Sequence, residues 1–205
     1  MEFIYSDGGR SKYFRGRVGD CVVRAIANAT GKDYKEIYDG INRLAKGERT
    51  GSRKRGKSSA RNGVYKETEK KYIEGELGWV WVPLMGIGTG CQAHLSSHDL
   101  PAKGNYIVRT SRHLTCVKDG KLYDTYDCTR DGTRCVYGYW REPTSQEREK
   151  HAQNVANAQI EQNIKDKVKA RRKAIKTQYA KKIAKAKRLV AKLERERDKK
   201  LSEIE

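Results

Sequence analysis

The first apolar periodicity along the chain begins just after Gly19-Asp20-Cys21. There Val22, Ala25, Ile26 and Ala29 recur at helical spacing, and Gly31 supplies a stop. A second helix follows, with Asp33 placed to cap it and Tyr34, Ile37, Tyr38 and Ile41 forming its apolar stripe. Residues 46–63 are basic, rich in Gly and Ser and almost without apolar side chains, which predicts a loop. Val64 to about Leu77 returns to helix, with Val64, Tyr65, Tyr72, Ile73 and Leu77 available for packing. From Gly78 the period becomes strand-like: a run cut by Pro83, then 105–110, 113–118, 121–127 and 134–140. Asp119-Gly120 between two alternating runs is a hairpin signal. Residues 1–20 read as an irregular lead-in.

Helices first and antiparallel strands second predict an α+β domain over about residues 1–142. The segment 143–205 is different in kind. After Pro143 it holds no Gly or Pro, and Ile160, Ile164, Val168, Ile175, Tyr179, Ile183 and Val190 step by 4, 4, 7, 4, 4 and 7. That repeat advances about 3.75 residues per turn, unlike the 3.5 of a left-handed coiled coil. One long helix is therefore expected, and it is basic: residues 165–192 carry 13 Lys and Arg against the single acid Asp166. Like charges at neighbouring helical positions repel, so such a helix calls for a partner: a second copy, the domain or a polyanion.

Charge and composition narrow the classes. The 205 residues hold 45 Lys and Arg against 26 Asp and Glu, a net charge of +19. No apolar run approaches the roughly 18 residues of a membrane span, and the N-terminal residues lack an apolar core with a cleavage site. No membrane association and no secretory signal are expected. Five cysteines, an odd number at irregular spacing, do not suggest a disulfide framework, so a reducing compartment and free thiols are expected.

Three residues carry candidate chemistry. Cys21 stands at a helix start, where unpaired backbone N–H groups and the positive end of the dipole favour thiolate over a reference pKa of about 8.5. His113 opens the strand HLTCVK at a polar entrance and has the place of a general base or ion-pair partner. The hairpin then selects a carboxylate. With a two-residue turn at Asp119-Gly120, Val117 faces Leu122, Thr115 faces Asp124 and His113 faces Tyr126. Asp124 is thus a diagonal neighbour of His113 on one face. A bulged turn would shift the register by one and favour Asp127 instead.

The order of an Asp-Cys pair at a helix start, a His at a strand start and an Asp on the next strand resembles the papain-like cysteine peptidases. It is nearest to the compact bacterial branch that includes bacteriocin-leader peptidases. The segments GDCVVRAIANATGKDYKEIYDGI, SRHLTCVKDGKLYDTYD and RCVYGYW also look like uncharacterised proteins of tailed phages and prophages. The resemblance covers roughly residues 15–141. It implies a papain-like helix-plus-antiparallel-sheet fold, with Cys21 as nucleophile, His113 as base and Asp124 orienting the imidazole. It also implies cysteine-dependent hydrolysis of a peptide, isopeptide or amide bond, without a cofactor, in the host cytoplasm or a virion. One departure stands out. Papain-like enzymes place a Gln or Asn shortly before the nucleophile as oxyanion donor, and residues 13–20 contain neither. A backbone N–H or the distant Gln92 is left for that role.

Other motifs point elsewhere. Cys91, His94 and His98 are clustered, but a structural zinc site needs four ligands and no CxxC pair exists, so no metal is expected. Cys116 and Cys135 lie in strand-like runs as buried thiols, and Cys91 with Gln92 is placed to line a cleft. Gly86, Gly88 and Gly90 lack the Gly-Lys-Ser/Thr of a phosphate loop. The competing function is a catalytically weak or inactive protein that binds nucleic acid or a virion or host partner. It would bind through Arg53, Lys54 and Arg55 in the basic loop and through Lys181, Lys182, Lys185, Lys187 and Arg188 on the helix.

Overall fold

A computed structural model describes residues 1–16, 18–51 and 56–202, with side chains described up to residue 197. The chain divides into two compact units, Met1–Thr144 and Ser145–Glu205. No helix among the described residues is long and apolar enough to cross a membrane.

The first unit is mixed α+β. Helix α1 covers Cys21–Thr30 and ends where Gly31 turns left-handed (φ 70°), its N–H returning to Ala27 O at 2.9 Å. Helix α2, Tyr34–Lys46, is capped as its sequence predicts: the Asp33 carboxylate accepts from the backbone N–H groups of Lys35 (2.8 Å) and Glu36 (3.3 Å). The predicted third helix is shorter and irregular, α3 at Lys66–Lys70 running into a π-helical turn at Lys71–Glu76.

Six strands follow the order β1-β5-β4-β3-β6-β2, with β1 Glu2–Tyr5, β2 Val80–Pro83, β3 Asn105–Thr110, β4 His113–Lys118, β5 Lys121–Asp124 and β6 Val136–Arg141. The hairpin turn has positive φ at both Asp119 (49°) and Gly120 (73°), the geometry that matches strand twist. Its register is the two-residue one, Lys118 opposite Lys121 and Val117 opposite Leu122. Two expectations are corrected. The lead-in is not wholly irregular, because Glu2–Tyr5 forms an edge strand. That strand runs parallel to β5, so the sheet is mixed rather than antiparallel.

Side-chain alternation gives the sheet two covered faces. On one, Ile107, Leu114, Cys116 and Trp140 pack under Val23, Ile26, Ile37, Ile41 and Ile73 of the helices. On the other, Val108, Val117, Leu122, Val136 and Tyr139 pack with Leu95 and Leu100 of the loop after β2. A Cys91–Cys135 disulfide ties that loop to the residue before β6, with Cα atoms 5.7 Å apart. This corrects the expectation that no cysteine is paired and that Cys135 is a free thiol. The two thiols approach only after the β2–β3 loop folds back over 44 residues of chain.

The second unit is the helix α4, Ser145–Ser202, close to the predicted 143–205. Its apolar stripe from Ile160 to Val190 is exposed throughout.

In β6, Gly138 (φ 156°) pairs with Pro83 of β2; a Cβ there would overlap the Trp81 ring and stand 2.6 Å from Val82 O. Gly138→Ala is expected to lose about 2 kcal/mol, the usual cost of overpacking. A urea unfolding midpoint equal to wild type at the same m-value would contradict this.

Candidate active site

Helix α1 begins at Cys21, the residue after Asp20. The Asp20 side chain makes no capping hydrogen bond. It is buried, and its carboxylate instead bonds Arg24 one turn on, accepts from the Tyr34 hydroxyl of α2 (2.5 Å) and pairs with Arg10 Nε (3.0 Å). The first-turn N–H groups around Cys21 are thus left without that carboxylate, and the helix dipole acts on the thiol.

His113 is the first residue of β4, and Asp124 is the last of β5. Both are buried, and His113 Nε2 lies 2.7 Å from Asp124 Oδ2. The two-residue hairpin register puts Thr115 opposite Asp124 in line, so His113 and Asp124 are the diagonal pair the sequence predicts. Asp127 is excluded as the partner: β5 has ended, and its carboxylate accepts from the Thr129 N–H (2.9 Å) and hydroxyl (2.7 Å) in a local turn. With Nε2 committed, the ring's other nitrogen is the one left for Cys21, whose thiol lies near enough to the His113 side chain and the Leu114 N–H for both to favour its thiolate.

The three groups shift one another. Burial is the largest single influence on each and opposes its charged form. For Cys21 it is outweighed by the His113 hydrogen bond, the Leu114 N–H and the charges of His113 and Arg24, so the thiol sits below its ordinary 9.0. Burial is likewise overcome at His113 by hydrogen bonds to Asp124, Cys128 and Cys21 and by the Asp124 charge, which push the imidazole well above 6.5. Asp124 is held below 3.8, again against burial, by His113, Thr115 and the Thr125 N–H. The shifts of Cys21 and His113 both run toward a thiolate–imidazolium pair. Arg24 completes the arrangement, its Nη2 3.6 Å from Asp124 Oδ1. Cys116 is different: sealed in the core, its thiol is pushed up to about 12 by burial.

The thiol opens on a cleft of about 710 Å³ lined among others by Val18, Gly19, Asn62, Lys66, Arg112 and Tyr126. Glu69, the one carboxylate lining it among the described residues, is buried and bonded to Arg109; burial raises its pKa to about 7 while Arg109 opposes the rise. Gln92 is not part of this cleft. It is exposed on the loop after β2, where its amide donates to Thr89 O (2.7 Å), so it is no oxyanion donor. Asn62, whose backbone lies 3.5 Å from where a Gly19 Cβ would stand, is the Asn or Gln among the residues that line the cleft.

The proposed cleft role of Cys91 fails for the same reason as its zinc role, because its sulfur is bonded to Cys135. His94 faces Asp99 at 3.3 Å. Among the described residues, the cluster with metal-ligand character is His113, Asp124 and Cys128, within 4.8 Å of one another. The 2.7 Å hydrogen bond between His113 and Asp124 fills the space where an ion would sit. Lys181, Lys182, Lys185, Lys187 and Arg188 are exposed on α4, whereas Arg53, Lys54 and Arg55 lie outside the described residues.

Sequence reasoning missed Arg24, Tyr34, Arg10 and Asn62. The first had a signal, an arginine four residues after Asp20 inside an otherwise apolar helix face. The others are joined to the site only by the fold. No family model, curated protein or solved structure matches the chain.

Because its folded pKa is depressed, Asp124 contributes stability that is fully present above 3.8 and is lost as pH falls through the lower folded value. Wild type is expected to exceed Asp124→Asn by about 2 kcal/mol at neutral pH, the worth of a hydrogen bond between charged groups. Denaturant titrations at a series of pH values should show that gap closing as pH falls through the folded Asp124 value, and also narrowing as pH rises above 6.5, where the part that runs through the raised His113 pKa is lost. A gap independent of pH would remove the ionised Asp124 from the account.

Proposed function

We propose that the Met1–Thr144 unit is a cysteine-dependent hydrolase of the papain-like kind, acting through an acyl-enzyme on a peptide, isopeptide or other amide bond. The observation that carries this reading is the alignment of a helix-start thiol, an imidazole and a carboxylate, with the 2.7 Å His113–Asp124 bond orienting the ring toward Cys21. The order of an Asp-Cys pair at a helix start, a His at a strand start and an Asp on the next strand, which resembles papain-like cysteine peptidases, supports it.

In the reaction the Cys21 thiolate attacks the carbonyl carbon and forms the C–S bond, moving the carbonyl electron pair onto oxygen. The backbone N–H groups at the start of α1 and the side chain of Asn62 are the donors for that oxyanion. As the C–N bond breaks, the His113 imidazolium gives its proton to the leaving amine. The neutral imidazole then takes a proton from water, whose hydroxide attacks the thioester and releases the acid and Cys21. Asp124 holds the ring in one orientation throughout and stabilises the imidazolium.

Iodoacetamide labelling followed by mass spectrometry tests the activated thiol. Cys21 is expected to label rapidly near pH 6, and His113→Ala should slow this by at least about tenfold, the equivalent of one pKa unit. Labelling that rises only toward 9.0 and ignores His113 would make Cys21 a structural cysteine.

A second reading, compatible with the first, is favoured by α4. Its 13 basic residues between 165 and 192 are all exposed, and Lys181, Lys185 and Arg188 follow one helix face. Such a surface fits a polyanion such as nucleic acid, held through phosphates without sequence preference. Binding to random-sequence DNA should weaken linearly on a log–log salt plot. Replacing Lys181, Lys182, Lys185 and Lys187 by Gln should flatten that slope by about 0.9 for each phosphate no longer neutralised. A salt-independent curve would eliminate the reading.

A further inference from the structure

The cleft over Cys21 is unevenly charged. Besides His113 it is lined by four cations, Arg24, Lys66, Arg109 and Arg112, and among the described residues by the single carboxylate Glu69. Two of the cations are neutralised. Arg109 is bonded to Glu69, and Arg24 to Asp20 with Asp124 at 3.6 Å. Lys66 and Arg112 are exposed and make no ion pair among the described residues. The Lys66 charge helps to lower the Glu69 pKa, but Arg109 holds that carboxylate. Arg112 also sits at a left-handed φ of 56° in the β3–β4 turn, a place where Gly or Asn is the ordinary occupant. That conformation sets the long side chain at the cleft, directly before His113 in sequence.

We propose that this cleft takes an acyl substrate bearing a carboxylate close to the scissile bond, held between Lys66 and Arg112. This rests on the hydrolase reading above and names the substrate class for it. Two cations without an ion-pair partner ask for one or two negative charges. Arg112 supplies a planar fork that matches a carboxylate, and Lys66 supplies a compact point charge. The remaining walls mix apolar or aromatic residues, Val18, Val64, Tyr126 and Tyr137, with the uncharged polar Asn62, Thr110 and Ser111, and suit a peptide-like body rather than a polyphosphate. The carboxylate is either an acidic side chain or a chain-terminal group, and both present the same chemistry to these residues.

Two alkylating reagents of nearly equal size test this directly. Iodoacetate carries its carboxylate next to the reacting carbon, whereas iodoacetamide is neutral; each forms an S–C bond to Cys21 and releases iodide. The ratio of their rate constants at Cys21, divided by the same ratio for glutathione, is expected to be about tenfold in favour of iodoacetate, as a locally focused field of this kind produces. It should fall at least threefold between about 0.02 and about 0.5 M salt, as screening shortens to a few Å. In Lys66→Gln/Arg112→Gln it should fall at least about threefold, leaving only the part that comes from the His113 imidazolium; an unchanged ratio would assign the whole preference to His113 and overturn the proposal. Because the quantity is a ratio, a general loss of thiol reactivity does not mimic the effect. Protection of Cys21 from iodoacetamide by acetyl-alanyl-alanine would assign the carboxylate to a chain terminus; protection by acetyl-glutamyl amide would assign it to a side chain. A ratio near one in wild type, or protection by neither peptide, with Cys21 still activated by His113, would overturn the carboxylate proposal alone. A Cys21 indifferent to His113 would overturn the hydrolase reading and this one with it.

Discussion

Ions removed from water cost several kcal/mol each unless they are paired, and this domain buries four beneath the start of one helix. Asp20 and Asp124 are the two carboxylates, 1% and 3% exposed, and Arg24 is the counter-charge between them. His113, the fourth, is paired with the far side of Asp124. The carboxylates come from different elements, so satisfying Arg24 fixes α1 against the end of β5. The same network reaches α2 through the Tyr34 hydroxyl and the N-terminal segment through Arg10. Apolar packing presses α1 onto the sheet, but it is non-directional. The charged cluster supplies the direction and register that put Cys21 at the His113 ring.

That same cluster explains how a mostly buried site shifts toward its charged forms. Burial alone would raise the thiol and the carboxylate and lower the imidazole, leaving three neutral and unreactive groups. No single partner outweighs it at any of the three residues. What prevails is the sum of several hydrogen bonds and charges, each group being both beneficiary and source. The cooperation is also a vulnerability, because removing one member returns its neighbours toward neutrality as well as leaving a buried group unpaired.

What could be seen in the sequence was what is encoded locally. Helix α1 with its Gly31 stop, the Asp33 cap of α2 and the Asp119-Gly120 turn all depend on a few adjacent residues, and each formed as its residues dictate. The turn mattered most, since a two-residue hairpin fixes the parity of every side chain after it and so distinguished Asp124 from Asp127. Non-local features were not legible. Strand β1 is four residues long and pairs with a strand more than a hundred residues away, so nothing in EFIY announces a parallel partner. Cys91 and Cys135 are unremarkable thiols until the β2–β3 loop brings them together. Between these extremes lies Arg24, whose spacing from Asp20 was visible although its second partner, Asp124, was not.

In the oxyanion role proposed for it, Asn62 would complete the site from an unpromising segment. Papain-like enzymes draw an amide donor from residues just before the nucleophile, where the helix start holds it in place, and here residues 13–20 offer none. A donor taken from a long Gly- and Ser-rich loop stabilises an oxyanion only if that loop is already rigid, since ordering it during the reaction would consume the gain. The loop is held at several points. The Asn42 side chain accepts from the Ala60 N–H at 3.0 Å, and Ala60 is fully buried. Glu48 accepts from the Ser58 N–H at 2.8 Å and from the Thr68 hydroxyl. Ser59 and Gly63 bridge across the tip, and Asn62 N–H donates back to Ser59 O at 3.2 Å. Residues 56–63, which composition marks as solvated, are therefore tied to Asn42 of α2 and, through Glu48, to Thr68 of α3, and the rigidity that the proposed oxyanion donor needs comes from tertiary interactions instead of from sequence neighbours.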